Sequence, residues 1–312
     1  MKDVVVVDIN KDLQWLADAR PLMNPPEGIT AFIPGDHLKN PCLPASQWRT
    51  YPAPPAYRLG RQFEDCIEQL LQYSNNIQRQ QRNLIINSAS RTLGELDCLY
   101  ENTNGECVHL ELAIKFYLCN APFNIASAGL SDFIGPGGKD RLDKKWLRLL
   151  QHQLPISCTP EALAAIHAAG FSAPAKHELL LTGLLFYPYQ DWQTCLPAIK
   201  SLNPQHNRGW WLFQHQIDQL LKESDVSFLI LPRWHWIGGL YHYESPTPLT
   251  HQELAEYVLK DTEPKMVAII KWGLGAQHKR HPHWEELCRG FIVHNDWPAI
   301  HSDSTPHSNE KR

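Results

Sequence analysis

The chain has 312 residues, of which 43% are hydrophobic and 20% are charged, and this composition is typical of a folded protein. Its formal net charge of -4 excludes a uniformly basic surface, so nucleic acid could bind only at a local basic patch. No apolar run approaches the roughly 20 residues that a membrane helix needs, and the valine run after Asp3 is too short for a signal peptide. We therefore expect a cytoplasmic protein whose 8 cysteines, none in a CxxC pair, are mostly reduced.

The first part of the chain reads as an arm. A short helix is predicted over residues 13–19, and a proline-rich stretch with little periodicity follows, from Pro21 to Pro55. We expect this arm to wrap over the surface of the rest. The predicted regions are an N-terminal arm (1–56), an α/β core (57–200), a C-terminal α/β extension (201–297) and a polar, disordered tail (298–312).

The core begins with a predicted helix over residues 57–74, where apolar residues recur at spacings of three and four. A short strand at 84–90 and the segment RTLGELDCLY follow. Next, Asn104-Gly105 is typical of a hairpin turn. The strand after this turn, at 108–118, alternates apolar residues with residues that include an acid and a lysine.

Helices and a strand complete the predicted core. Residues 141–154 and 159–170 are predicted to be helices, and Asp140 is a candidate helix cap. The apolar run at 177–187 predicts a buried strand. The order is therefore helix, three strands, helices and strand.

The extension is predicted to be mixed. Residues 209–221, GWWLFQHQIDQLL, are predicted to be helical, and the strand in VSFLILPRWHWI is interrupted by Pro232. Thr250 and Glu253 form a capping box for a helix that runs to Lys260. Two late strands are predicted in VAIIKW and GFIVHNDW.

Carboxylates and one lysine gather on the predicted hairpin. Glu95 and Asp97 are two residues apart on one strand, and Glu111 and Lys115 are four apart on the next, so each pair shares a face. Glu64 on the preceding helix could approach the same surface from the side. Such carboxylates repel one another unless a cation lies between them, and oxygen ligands suit Mg²⁺ or Mn²⁺. With a lysine that positions or deprotonates a water, this set is suited to metal-dependent hydrolysis of phosphodiesters.

A second interpretation needs no function. Charged residues are common on the solvent face of an antiparallel hairpin, and a glutamate and a lysine often pair there. The middle strands of an α/β sheet are usually covered, however, and a polar face would then be costly unless it is used.

The same residues resemble a known enzyme superfamily. Glu64 on a helix, Asp97 in GELD, and Glu111 and Lys115 in ELAIK resemble the PD-(D/E)XK nucleases, whose core runs helix, three strands, helix, strand. This resemblance covers residues 57–190. The segments LGRQFE, GELD, HLELAIKFYL, GPGGKDRLDKKW, LPRWHW and HNDWP together resemble a bacterial family of unknown function that is assigned to this superfamily.

The resemblance implies a fold and roles for individual residues. The fold would be α/β, with a restriction-endonuclease-like core at 57–200 and the arm and extension added to it. Asp97 would be the central ligand of Mg²⁺ or Mn²⁺, Glu111 a second ligand, Lys115 the catalytic lysine and Glu64 the helix acid. The implied function is that of a metal-dependent nuclease or other phosphodiesterase acting on DNA or RNA.

One departure from the superfamily pattern leaves two alternatives open. The second acid usually stands two residues before the lysine, where this chain has Ala113, and Glu111 lies one pleat further away, about 7 Å along the strand. Either the metal site is shifted, with Glu64 or Glu95 as a compensating ligand, or catalysis has been lost. In the second case the protein would be an inactive nuclease-fold module that binds nucleic acid or protein.

Two further segments are candidates for contact with nucleic acid. Arg141, Lys144, Lys145 and Arg148 follow GPGG and would share one side of a helix, where they could bind phosphates or form a solvated basic face. The row RWHW, residues 233–236, interleaves cations and aromatic rings, which can stack on bases but more often pack in a core or at its rim.

Overall fold

The computed structural model describes residues 6–38, 50–52, 59–220, 225–243, 245–260, 262–274 and 282–299. Its strands are β1 (Val6–Asp8), β2 (Ile29–Ala31), β3 (Thr50–Pro52), β4 (Ile77–Asn87), β5 (Thr92–Asn102), β6 (Cys107–Cys119), β7 (Phe133–Ile134), β8 (Lys176–Pro188), β9 (Arg208–Phe213), β10 (Val226–Leu231), β11 (Lys265–Leu274) and β12 (Pro282–Val293). Its α-helices are α1 (Ile9–Ala17), α2 (Pro34–Leu38), α3 (Leu59–Gln72), α4 (Leu142–Arg148), α5 (Leu154–Ile156), α6 (Pro160–Ala168) and α7 (His251–Val258). None of the helices in these residues is long and apolar enough to cross a membrane.

Ten strands form one mixed sheet in the order β10-β11-β12-β9-β8-β6-β5-β4, with β2 beside β8 and β7 beside β6. The neighbours in β4-β5-β6 and in β10-β11-β12 are antiparallel, whereas β6, β8, β9 and β12 run parallel to one another. The β6-to-β8 connection contains α4, α5 and α6, as a parallel pair requires. The predicted α/β class is confirmed, and the predicted element order from the first helix to the buried strand is present as α3, β4 to β6, α4 to α6, and β8.

The sheet extends beyond the region predicted to be the core. From the predicted arm, β2 pairs with β8, and Leu13 and Leu16 of α1 pack in the same apolar cluster as α3. The arm therefore contributes to the interior and does more than wrap the surface. On the other side, β9 pairs with β8, so the sheet also continues across the predicted boundary at residue 200. The tail predicted to be disordered lies outside the described residues from residue 300 onward.

The prediction of a helix over residues 209–221 is wrong. The segment forms β9 and then a short 3₁₀ helix, Gln214–Gln219. Trp210 and Trp211 point to opposite faces of the sheet, and both are buried, in different apolar clusters. A strand covered on both faces has a continuous apolar run with no alternation, and such a run cannot be told from a helix by periodicity.

The capping box at Thr250 and Glu253 is confirmed at the start of α7.

Both faces of β6 are covered, and this arrangement positions the site. Leu110, Leu112 and Ile114 pack with α3 on one face. Ala113 and Tyr117, on the other face, pack in the cluster that contains residues of α4. The acid and the lysine of β6 therefore lie on a face that helices cover, and the interpretation as a solvated hairpin face is wrong.

A glycine of β8 is needed for the close approach to β6. Gly183 pairs with Lys115 and has φ +126, and a Cβ atom at this position would lie 1.8 Å from the carbonyl oxygen of Lys115. We expect Gly183→Ala to lower the free energy of unfolding by about 3 kcal/mol or more, because the strand must move away from β6. Urea denaturation measures this change.

Gly273→Ala is the matched control, because Gly273 also lies in a strand but has no heavy atom within 4 Å of its Cβ position. Its effect should stay within about 1 kcal/mol. Equal losses in the two variants would contradict the close approach at Gly183.

Candidate active site

Strands β5 and β6 diverge part of the way along their length. They pair only as far as Cys98 and Leu110, and the start of β5 continues alone with β4. Asp97 is the first residue beyond the last pair, and its Oδ2 accepts a hydrogen bond from the backbone nitrogen of Leu112 over 2.9 Å. The carboxylate therefore takes the place of a strand partner.

The divergence leaves a gap beside β6. On this side the next strand partner in the described residues is β7, which joins at Leu118. A cavity of about 500 Å³ lies along the gap. Its walls include residues 112–116 of β6, the glycine-rich turn at residues 135–137, and the side chains of Lys139, Asp140 and Lys145.

Asp97 and Glu111 meet beside this gap. Glu111 is fully buried, and the two carboxyl groups lie within hydrogen-bonding reach of each other. Burial, and then the negative charge of Glu111, raise the pKa of Asp97 to about 7. Burial raises the pKa of Glu111 to about 7 as well. Burial and mutual repulsion therefore oppose the ionisation of both acids at once.

Both oxygens of Glu111 have further partners. His109 Nε2 lies 2.9 Å from Oε1, and Gln153 Nε2 donates to Oε2 over 2.7 Å. Burial lowers the pKa of His109 to about 4, so the ring is neutral at pH 7 and its Nε2 proton can point toward Glu111. The carboxylate is thereby fixed in one orientation.

A π-helical turn places Gln153 in the site. The segment Leu149–Gln153 continues α4 as a π-helix, and the Leu154 nitrogen donates to the Leu149 carbonyl, five residues back. Pro155 follows, and proline can neither donate to the carbonyl four residues earlier nor fit its ring against it, so a regular α-helix is unfavourable here. Such wide turns often occur at functional sites.

Lys145 completes this side of the site. Its Nζ donates to Oε1 of Gln153 over 2.9 Å, so the amide connects the ammonium group to Glu111. Burial lowers the pKa of Lys145, and the charge of Lys115 lowers it further. The negative charges of Asp97 and Glu111 act in the opposite direction.

Lys115 lies farther along β6 and is held by another acid. Its Nζ donates to Oδ2 of Asp140 over 2.6 Å, and both side chains are partly exposed to the cavity. Asp140 was a candidate helix cap, but the cap position of α4 is Arg141. Asp140 instead positions Lys115 two pleats from Glu111.

The remaining predicted acids lie outside this contact. Glu64 is on α3, which packs on the opposite face of β6, and its carboxylate lies 3.4 Å from Arg82. Burial, and then the charge of Asp97, raise the pKa of Glu64, so the two acids are within electrostatic range. Glu95 is exposed and pairs with Ile85 of β4, on the far side of the divergence.

The four basic residues predicted to share one side of a helix do not act together. Lys144 and Arg148 are exposed, Arg141 pairs with Asp143, and Lys145 turns into the site. The inward position of Lys145 had a signal in the sequence. It lies three residues after Leu142 and four before Leu149, in the buried stripe of the helix. Gln153 had no such signal, because the π-turn breaks the helical spacing.

The acidic pair provides two of the ligands that a divalent cation would need. Within the described residues, no group of three His, Cys, Asp or Glu side chains could hold a metal ion. Two carboxylates whose joint ionisation is opposed nevertheless form a donor set whose repulsion a cation would relieve. Mg²⁺ usually keeps several waters and takes only one or two carboxylates, with substrate phosphates as further ligands.

The fold and the site define a mixed α/β protein with a buried acidic pair beside two lysines. The chain belongs to the family DUF1853, a domain of unknown function, whose model matches residues 11–293. No curated protein and no solved structure matches the chain. The expected relation to the PD-(D/E)XK superfamily stays a prediction.

The acidic pair predicts an unusual dependence of stability on pH. Because folding raises the pKa of Asp97 to about 7, the folded state binds more protons than the unfolded state between about pH 4 and pH 7, and stability should fall as pH rises through this window. Asp97→Asn removes one charge of the pair. The variant should exceed the wild type in free energy of unfolding by about 1–3 kcal/mol at pH 8, and by much less at pH 5.

Urea denaturation at both pH values, without divalent cations, measures this difference. Glu95→Gln is the control, because it changes an exposed acid on the same strand. A difference between Asp97→Asn and the wild type that is the same at pH 5 and pH 8 would show that the pair is not coupled.

Proposed function

We propose that this protein is a metal-dependent phosphodiesterase that acts on nucleic acid and has a restriction-endonuclease-like core. The observation that supports this function is the close approach of Asp97 to the buried Glu111, near a cavity that Lys115 and Lys145 line. A fully buried carboxylate next to another one is costly for stability. Such a cost is common at sites where charge is used in chemistry.

Asp97 and Glu111 would hold the metal ion. Bound Mg²⁺ or Mn²⁺ would supply Lewis acidity and lower the pKa of a water molecule. Leu112 orients Asp97 through its backbone nitrogen, while His109 and Gln153 orient Glu111. These contacts keep the two carboxylates in place before a ligand arrives.

The two lysines would act on the phosphodiester. Lys115 is held by Asp140 at the open part of the cavity, where its ammonium group can stabilise charge on a phosphate oxygen. Lys145 is more deeply placed, and its lowered pKa makes it the better candidate to transfer a proton at the reacting water. Gln153 accepts a hydrogen bond from Lys145 and donates one to Glu111, so a change of charge on Glu111 affects Lys145 through the amide.

A second function follows from the same contacts. Lys115 pairs with Asp140 and not with the acidic pair, and both oxygens of Glu111 already accept hydrogen bonds. These observations favour an inactive module that binds nucleic acid or protein. Only the first function requires a metal ion at Asp97, so metal binding separates the two.

Calorimetric titration with Mn²⁺ should show weak binding to the wild type, because substrate oxygens are absent, and binding should strengthen when a non-hydrolysable phosphodiester is added. Asp97→Asn should abolish the heat signal. Glu95→Gln, which changes an exposed acid on the same strand, is the control. Binding that is unchanged in Asp97→Asn would place the metal elsewhere, and no binding to the wild type would favour the inactive module.

Turnover of a labelled oligonucleotide distinguishes the lysines. Lys115→Ala should lower the rate about a hundredfold, the usual scale for a positioned catalytic group, with a much smaller change in affinity. Equal losses of rate and affinity would make Lys115 a phosphate anchor.

Lys145 and Lys144 are neighbours that point in different directions, which makes them a matched pair. Lys145→Ala should lower the rate at least about tenfold, because it removes the ammonium group bonded to Gln153. Lys144→Ala should instead weaken the affinity for nucleic acid. The slope of log affinity against log salt concentration for duplex binding should become less steep by about one. A slower rate in Lys144→Ala alone would reverse these assignments.

A further inference from the structure

The cavity beside β6, which Lys115 and Lys145 line, adjoins a second and larger one. The second cavity has a volume of about 880 Å³. The two share four lining residues: Pro136, Gly137, Arg233 and Trp236. The first cavity is lined by lysines, whereas the walls of the second include Leu231, Tyr243, Tyr257 and Met266. A charged compartment thus opens into a largely apolar and aromatic one.

We propose that the second cavity binds a base of a single-stranded nucleic acid, with a backbone phosphate of the same strand at Arg233. The inference rests on the proposed function for the choice of nucleic acid as the ligand. It adds a substrate class, since the acidic pair alone does not distinguish a single strand from a duplex.

Arg233 is suited to bind a phosphate at the junction of the two cavities. It begins a short 3₁₀ helix, Arg233–His235, directly after Pro232 ends β10, and it is exposed. Within the described part of the chain its side chain forms no ion pair, and its guanidinium group lies 5.5 Å from the ring centre of Trp236. Lys115, in contrast, already pairs with Asp140. The charge of Arg233 is therefore available to an anion.

Trp236 forms a rigid aromatic wall beside this charge. Its Nε1 donates to the carbonyl oxygen of Leu231 over 3.1 Å, which fixes the indole ring. The ring also packs edge to face against Phe116 at 5.5 Å and Phe291 at 5.0 Å. Phe116 follows Lys115 in β6, and both residues line the first cavity. Bases of single strands commonly stack on aromatic side chains beside a basic groove.

The shape of the cavities favours a single strand over a duplex. Volumes of about 500 and 880 Å³ are in the range of pockets that hold small molecules or single nucleotides. A base in a duplex is stacked between its neighbours and paired at its edge, and it reaches such a pocket only after it leaves the helix. A base of an unpaired strand reaches the pocket with little loss of stacking and pairing energy. Glu263 and Lys265 also line the second cavity, where their side chains form an ion pair over 3.5 Å.

The test is binding of a fluorescent single-stranded 12-mer and of a blunt duplex, without divalent cations and at several salt concentrations. The wild type should bind the single strand at least about tenfold more tightly. Arg233→Ala should weaken single-strand binding about tenfold and reduce its salt slope by about 0.7, the value for one phosphate contact. Arg20→Ala is the control, since Arg20 is exposed and lines neither cavity.

A second variant tests the aromatic wall without disturbing the core. Trp236 is packed against two phenylalanines, and its removal could unfold the protein, whereas Tyr257 is 43% exposed and lines the second cavity. Tyr257→Ala should weaken single-strand binding about threefold or more and leave the salt slope unchanged. The inference is overturned if the wild type binds the duplex as tightly as the single strand, or if Arg233→Ala behaves like Arg20→Ala.

A separate experiment tests the proposed function independently of the single-strand inference. Wild-type hydrolysis of bis(p-nitrophenyl) phosphate with Mn²⁺ needs the acidic pair but no nucleobase. If the wild type hydrolyses this ester but binds the single strand no more tightly than the duplex, the inference is overturned and the proposed function is not. Single-strand binding that depends on Arg233, without hydrolysis of any phosphodiester, would overturn the proposed function and support the inference.

Discussion

The contact between Asp97 and Glu111 is the constraint on which the site depends. Two carboxyl groups in a buried position repel each other and have lost their hydration, so each must gain hydrogen bonds or a cation. The protein supplies the hydrogen bonds from a strand nitrogen, a neutral histidine and an amide. The amide comes from Gln153, whose position depends on the π-turn before Pro155. A local interruption of a helix thus supports a pair of acids between β5 and β6.

The divergence of β5 from β6 opens a cavity next to this pair. Had the two strands remained paired, the space beside residues 112–116 would have been filled by main chain. The gap instead becomes a cavity, and Asp97 satisfies the Leu112 nitrogen that a strand partner would have bonded. The same opening leads past Trp236 to the larger cavity. The catalytic hypothesis and the single-strand hypothesis therefore both depend on one break in strand pairing.

Elements whose apolar residues recur with a fixed period were predicted correctly from the sequence. Elements in which packing overrides the period were not. Helix α3 and strand β6 were predicted within two residues of their ends, because apolar residues recur at helical spacing in one and alternate in the other. Strand β9 was predicted to be helical, because both its faces are buried and the alternation disappears. Lys145 was assigned to an outer basic face, although its spacing from Leu142 and Leu149 favours the inner one.

The residue pattern is enough to place Glu111 and Lys115 on one face of β6, since side chains alternate along a strand with a period of two. The pattern also predicts the order of the elements around these two residues. Which groups meet depends on how the strands and helices pack. The point at which β5 leaves β6 brings Asp97 to Glu111, and the covering helices bring Lys145 to this pair and leave Lys115 with Asp140. These contacts join segments far apart in sequence, and they depend on strand register and helix packing, which no local pattern encodes.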